Sequence, residues 1–211
     1  MTTTSLDDAF IAQALRSYGV HSTPQLSEAI RTYIDLLLRW NKKIALTTVT
    51  DPEEILRFHF GESIFAVSQV PIRHGRLADV GTGAGFPAVP ISMVVPDLEC
   101  VLIESNQKKA TFLAEVVRAL ELDGIEIYRG RMESYPRSSQ LLDFSISRAL
   151  GLHESFLYWS EERLNSSGKV VLWLGDGDAS QILTNTSWNW DPALKIPDSQ
   201  HRVLLKGSKR A

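Results

Sequence analysis

The sequence predicts an α/β fold: a mostly parallel sheet flanked by helices, led by an all-helical segment and ended by an antiparallel hairpin. Three observations point there. From Arg76 to Leu174, short apolar runs alternate with amphipathic stretches, the pattern of successive βαβ units. Residues 1–72 carry helical spacing only. Past residue 187, two strand-like runs flank Pro197-Asp198-Ser199-Gln200, a turn-forming tetrad.

Each element follows from its residues. Leu6 to Tyr18 sets Phe10, Ile11, Ala14 and Leu15 at helical spacing. Pro24 opens a second helix, with Leu26, Ile30, Tyr33, Ile34, Leu37 and Leu38 on one stripe. Asp51-Pro52-Glu53-Glu54 is a helix start, with Asp51 as N-cap and acids at the positive end of the helix dipole. This third helix is expected to run through Phe58 and break near Gly61. Leu77 to Val80 is a strand that ends in glycines, and Pro87 to Val95 a helix. Leu98 to Glu104 is largely apolar, as a strand buried on both faces must be. Asn106 to Leu120 is a helix that turns Ala110, Leu113, Val117 and Leu120 to the sheet. Ile125 to Tyr128 and Leu142 to Ser147 are strands three and four, Leu152 to Leu164 a helix, and Lys169 to Leu174 strand five. Trp188 to Ile196 pairs with Arg202 to Lys206 as the hairpin, making seven strands. The expected division is a helical extension, 1–72, packed on a main domain, 73–211.

Composition narrows the function. Hydrophobic residues at 44% argue against disorder. Apolar runs fall far short of a membrane span, and Met1 to Ser5 lacks the basic start of a secretory signal. Cys100 is the only cysteine, which rules out an internal disulfide and suits a reducing cytoplasm. A cytoplasmic monomer without metal or membrane is expected. Net charge is −3, with 22 basic and 25 acidic residues, so any nucleic-acid contact must come from local basic groups. Candidates are Arg39 with Lys42 and Lys43, Arg129 with Arg131, and Arg202 with Lys206, Lys209 and Arg210.

The chemistry is concentrated at Asp79-Val80-Gly81-Thr82-Gly83-Ala84-Gly85-Phe86. A strand, a glycine turn and a helix form a nucleotide-like ligand site, because glycine allows close backbone approach and the helix start offers free N–H groups. The dinucleotide pattern G-x-G-x-x-G needs a third glycine where Phe86 stands; here it comes one place early, at Gly85. G-x-G-x-G after Asp79 is the pattern of S-adenosylmethionine enzymes, which cradle no pyrophosphate. Glu104 follows Gly81 by 23 residues, close to the roughly 20 expected of an acid that accepts from ribose hydroxyls. Gly130-Arg131-Met132-Glu133 follows strand three, where such folds cover the adenine; Met132 offers an apolar contact and Glu133 a polar one.

Strand four ends in Ser147-Arg148-Ala149. It lacks the Asn/Asp-Pro-Pro-aromatic motif of exocyclic-amine methylation, and Cys100 lies inside strand two, where it is core and not a nucleophile for carbon methylation. An acceptor that is already nucleophilic remains: guanine N7, which loses no proton, or a carboxylate or other oxygen. Arg148 could pair the cofactor carboxylate, hold an RNA phosphate, or brace its loop against Asp143 or Glu133.

Asp79 to Pro87 with Pro90 resembles the loop of the glucose-inhibited division protein B family, the guanine-N7 methyltransferases of bacterial 16S ribosomal RNA. Trp40 to Ile44 with Leu46-Thr47, Asp51-Pro52-Glu53, His59 to Ser63, Leu102 to Leu113, Arg131 with Glu133, Asp143 with Ser147-Arg148-Ala149, and His201 to Lys206 extend the likeness along nearly the whole chain. The resemblance implies the class I methyltransferase fold, Rossmann-like with seven strands, and S-adenosylmethionine as cofactor. It implies contacts from Gly81, Phe86, Met132 or Glu133, and Arg148 to the cofactor or its immediate surroundings, with Arg148 positioning the reaction; the loop motif and the acid spacing add Asp79, Gly83, Gly85 and Glu104 as cofactor contacts. Lys42, Lys43, His59, Arg202 and Lys206 would meet RNA of the small ribosomal subunit. The chain departs from the family at Ala45, Phe58, Glu62, Glu104 and Leu174, where Asn, Arg, Asp, Asp and Lys are usual. A methyltransferase of small molecules or of another RNA, and a non-catalytic RNA-binding module, are the alternatives.

Overall fold

The computed structural model describes residues 6–137, 140–148 and 151–210. Ala149 of the Ser-Arg-Ala triplet lies outside the described residues. α1 (Asp8–Arg16) and α2 (Pro24–Asn41) start on side-chain caps: Asp7 accepts from Phe10 N at 2.7 Å, and Thr23 from Leu26 N at 3.2 Å. Their apolar stripes bury Ile11 and Leu15, then Ile30, Tyr33, Ile34 and Leu37.

The third helix does not break at Gly61. α3 (Pro52–Ile55), a π-helical segment (Leu56–Gly61) and α4 (Glu62–Gln69) follow one another without interruption. Packing overrides glycine's weak helix propensity here. A Cβ at Gly61 would stand 2.3 Å from Cε2 of Tyr18, so the bare backbone makes room for that ring.

β1 (Gly75–Val80), β2 (Leu98–Glu104), β3 (Ile125–Arg129), β4 (Leu142–Arg148) and β5 (Leu164–Gly175) are parallel, joined through α5 (Ala88–Val94), α6 (Gln107–Ala119) and α7 (His153–Arg163). β5 begins directly after α7, five residues before the expected Lys169. After α8 (Asp176–Ile182) come β6 (Trp188–Trp190), β7 (Leu194–Lys195) and β8 (Arg202–Lys209). The order is 3-2-1-4-5-8-6, with β7 also on β8 and β8 antiparallel to β5.

The sheet thus has eight strands where seven were expected, because the run Trp188 to Ile196 is split. Between the pairs Trp190↔Gly207 and Leu194↔Leu204, this edge advances four residues and β8 only three. Pro192, which has no N–H to give, sits in the resulting bulge.

Strand residues alternate between two apolar layers. Leu77, Leu102, Ile146 and Val171 join α1, α2, the 52–69 helix, α5 and α6 on one face. Ala78, Ile103, Leu172 and Leu205 join α7 and α8 on the other. Cys100 is buried in the first layer, and burial pushes its thiol pKa up.

Candidate functional site

The glycine loop leaves β1 with Gly81, Gly83 and Gly85 at φ +71°, +62° and +87°, a region that only glycine enters freely. Gly81 N donates to Ile103 O at 2.9 Å, tying the turn to the end of β2. Glu104 closes that junction. Its Oε2 accepts from Gly83 N at 2.9 Å and its Oε1 from Asn106 N at 2.7 Å, and it is buried. Each oxygen keeps a second lone pair for a ligand hydroxyl. Gly81 is exposed and Gly83 partly so; a Cβ on Gly83 would meet only Gly81 O, at 3.8 Å.

Gly85 and Phe86 turn their side-chain positions the other way, which leaves only their backbone for the expected cofactor contact. A Cβ on Gly85 would stand 2.4 Å from the Tyr33 hydroxyl, which donates to Ala84 O. The Phe86 ring is buried, stacked on Tyr33 at 5.1 Å and on His59 at 4.9 Å. Both residues dock the loop on the N-terminal helices, and the Phe86 ring is not free for a ligand.

Asp79 lies beneath the loop with no exposed surface. Its Oδ2 accepts from Thr82 Oγ1 at 2.8 Å and Ala88 N at 3.2 Å, while Oδ1 has no hydrogen-bond partner among the described residues. Burial raises its pKa to about 7, against the two hydrogen bonds and the Arg148 charge.

Gly130 N donates to Glu104 O at 3.1 Å, so the loop after β3 hangs beside the acid. Met132 is buried, its carbonyl accepting from Trp159 Nε1 at 2.6 Å, and Glu133 is exposed. Both line a cleft of about 550 Å³ with Ser155, Tyr158 and Trp159.

At the end of β4, Ser147 Oγ donates to Val80 O at 2.9 Å and so holds β4 to the root of the loop. Arg148 reaches into the 52–69 helix. Its Nη1 donates to Phe58 O at 3.0 Å and its Nη2 to His59 Nδ1 at 3.1 Å; Glu62 Oε2 lies 3.8 Å away. Neither Asp143 nor Glu133 braces it. Asp143 instead accepts from Arg76 N and Asn165 Nδ2. Burial lowers the Arg148 pKa to about 10, which still leaves it charged at neutral pH.

Glu62 is 1% exposed and accepts from Arg202 Nη1 at 2.8 Å; its own carbonyl accepts from Trp173 Nε1 at 2.6 Å. Burial raises its pKa, opposed by Arg202 and Arg148. Burial, then Arg148 and Arg202, lowers the His59 pKa to about 3. His59 is therefore neutral, so any contact it makes with RNA would be that of an uncharged ring. Lys206 is also spent internally: Nζ donates to Gln69 O at 3.0 Å and sits 3.4 Å from Asp191. Lys42 and Lys43 are exposed, and the Arg202 side chain is 49% exposed. Sequence reasoning missed Thr47 and Glu62 as site residues. Thr47 Oγ1 lies 2.8 Å from His59 Nε2, a link no spacing rule reveals.

Among the described residues, no group of three or more His, Cys, Asp or Glu is placed to hold a metal, and no helix is long and apolar enough to cross a membrane. The family model for rRNA small subunit methyltransferase G matches residues 26–191. The chain belongs to that family. A methyltransferase G relative in Ectopseudomonas mendocina (strain ymp) is 33% identical over 204 residues, covering 94% of this chain and 95% of the relative. One in Pseudomonas fluorescens (strain Pf0-1) is 30% identical over 202 residues, covering 93% and 88%. A SAM dependent methyltransferase from Aquifex aeolicus superposes with a TM-score of 0.61 at 16% identity, covering 74% of this chain and 93% of that one. Methyltransferase G membership and the fold make this an S-adenosylmethionine-dependent methyltransferase, and a dinucleotide ligand is set aside. The loop fits that cofactor: the space beyond Gly83 is open, Glu104 stands where a ribose diol would be met, and Asp79 holds an uncompensated carboxylate oxygen beneath.

Proposed function

We propose that the protein methylates N7 of a guanine in the 16S ribosomal RNA of the small subunit, as a cytoplasmic enzyme. One observation supports an acceptor that is already nucleophilic, as N7 is: among the described residues, the end of β4 offers no free general base. The His59 Nδ1 lone pair is taken by Arg148, Glu62 is held by Arg202, and Asp79 is sealed beneath the loop. N7 already carries a lone pair, so positioning and exclusion of water suffice. Bound S-adenosylmethionine supplies an electrophilic methyl group on a sulfonium.

In this reading Gly81 and Gly83 give backbone room, Glu104 accepts from the ribose, and Met132 and Glu133 flank the adenine. Asp79 places negative charge near a cationic ligand. Arg148 keeps unused N–H donors for a carboxylate or phosphate. Lys42, Lys43 and the exposed part of Arg202 hold the RNA backbone. The names of the relatives above, ribosomal RNA small subunit methyltransferase G, agree with RNA of the small subunit as the substrate.

The test is transfer of labelled methyl to small ribosomal subunits from a strain lacking the family enzyme. Label mapped to N7 of one guanine is expected. Cofactor binding with no label in RNA overturns the reading and favours a small-molecule acceptor or an RNA-binding module.

A further inference from the structure

A hydrogen-bond chain joins the loop after α2, the π-helical turn and the end of β4. Asn41 organises its first member. Its Oδ1 accepts from Leu46 N at 2.8 Å and Thr47 N at 3.0 Å, and its Nδ2 donates to Thr47 O at 2.8 Å. Residues 41–47 are thereby folded into a closed turn that presents Thr47 Oγ1 to His59 Nε2. The π-helical turn supplies the second member. Two of its carbonyls take side-chain donors: Phe58 O from Arg148 and His59 O from Ser63. π turns inside helices concentrate at functional sites because they free such groups.

Donor chemistry gives the chain a direction. A guanidinium only donates, so His59 Nδ1 must be the bare nitrogen toward Arg148. A neutral ring then carries its proton on Nε2 and donates to Thr47 Oγ1. Val49 N also donates to that oxygen, at 3.1 Å, so both of its lone pairs are used. The ring is clamped from the side by its stack on Phe86, and the Arg148 guanidinium lies 5.4 Å from the same ring centre.

We propose that His59, oriented by Thr47, is a positioning residue for methyl transfer: a neutral acceptor that fixes the Arg148 guanidinium at the end of β4. The charged groups acting on it are Arg148 on β4 and Arg202 on β8, each of which is in turn paired with Glu62 on the His59 helix. Burial first, and then the two arginines, oppose a positive charge on the ring, so at neutral pH Nδ1 stays an acceptor. This role rests on the methyltransferase reading above, but its hydrogen-bond basis does not.

Two measurements test it on the full chain. The first uses no substrate: side-chain ¹⁵N spectra of the five histidines, with His59 assigned through His59→Asn. An Nε2–H tautomer that does not titrate between about pH 5.5 and 8 is expected. An Nδ1–H tautomer, or titration in that window, overturns the proposal whatever the substrate proves to be. The second measurement is steady-state methyl transfer to unmethylated small subunits. His59→Leu should lower kcat about 100-fold, the scale of a misplaced reacting group, with KM for RNA within about threefold. His59→Asn, which can present an acceptor where Nδ1 stood, should recover most of that loss. Thr47→Val, which keeps the shape and removes the hydroxyl, should lower kcat about tenfold. A rise in KM at unchanged kcat, no rescue by Asn, or a silent Thr47→Val sinks the proposal. If wild type labels no RNA, the acceptor reading fails while the spectra still decide the tautomer.

Discussion

At the residue scale, neighbouring glycines of one motif do different work. Gly83 opens on empty space and Gly85 on Tyr33, Val89 and Leu113. Gly83→Val is strained at φ +62° and is expected to lose some stability, but its side chain has room, so the folded fraction should show no measurable binding of the demethylated cofactor in a calorimetric titration. Gly85→Ala is expected to cost about 1–3 kcal/mol of stability, the range for overpacking, while its folded fraction still binds. Cofactor affinity lost at Gly85 and kept at Gly83 would reverse the assignment. Asp79 gives a second prediction. Its pKa rises from 3.8 to about 7 on folding. Below the lower value the carboxyl is neutral in both states, so its burial does no electrostatic harm. As pH rises toward 7 the unfolded chain ionises freely and the folded one does not, so stability falls and the loss is complete above that pH. Asp79→Asn should therefore gain on wild type progressively from pH 4 to pH 7 in urea unfolding, then hold a constant advantage. Parallel stability curves across that window would mean the carboxylate is paired. The motif itself was legible because residue type and spacing carry it. The inward turn of Gly85 and Phe86 was not, since it depends on Tyr33, 51 residues before Ala84, which spacing does not locate.

At the scale of elements, caps and apolar stripes located the helices up to α7 but not the short α8, and two further misses arose where tertiary contact outweighs propensity. Gly61 reads as a helix end but lies within a continuous helix, pressed on the Tyr18 ring. Alanine there would gain about 1 kcal/mol of intrinsic helix propensity. It would also drive a methyl into an aromatic ring at 2.3 Å, a clash worth about 1–3 kcal/mol or more. The clash dominates, so Gly61→Ala should lower the urea midpoint, and a raised midpoint would show that α1 yields at no cost. The split of the edge strand at Pro192 is the other miss. Apolar content marked Trp188 to Ile196 as one strand, but a proline cannot complete its ladder. The π turn had no sequence signal at all: its carbonyls matter through Arg148, 90 residues further on.

At the scale of the molecule, the proposed methyl-transfer site is made by a sheet and a helical segment that share one interior. The sheet supplies Glu104 and Arg148; the helical segment supplies His59, Glu62 and the groups that hold Arg148. Sequence composition divides the chain at residue 72, yet Ile11, Leu15, Ile30, Tyr33, Phe60 and Ile64 lie in the same apolar layer as Leu77, Leu102, Phe112 and Ile146. Burying each such side chain contributes about 1.5–3 kcal/mol. Half a dozen of them therefore match the whole net stability of about 5–15 kcal/mol that a domain possesses. A fragment of residues 73–211 would also leave Phe86 and Leu113 bare on one face of the sheet. The expected outcome is that the full chain unfolds in a single calorimetric transition and that this fragment shows none and binds no cofactor. A fragment that melts cooperatively and binds S-adenosylmethionine would mean that the helices serve RNA recognition alone. In that case Arg148, left without Phe58 and His59, would have to find its place from β4 unaided.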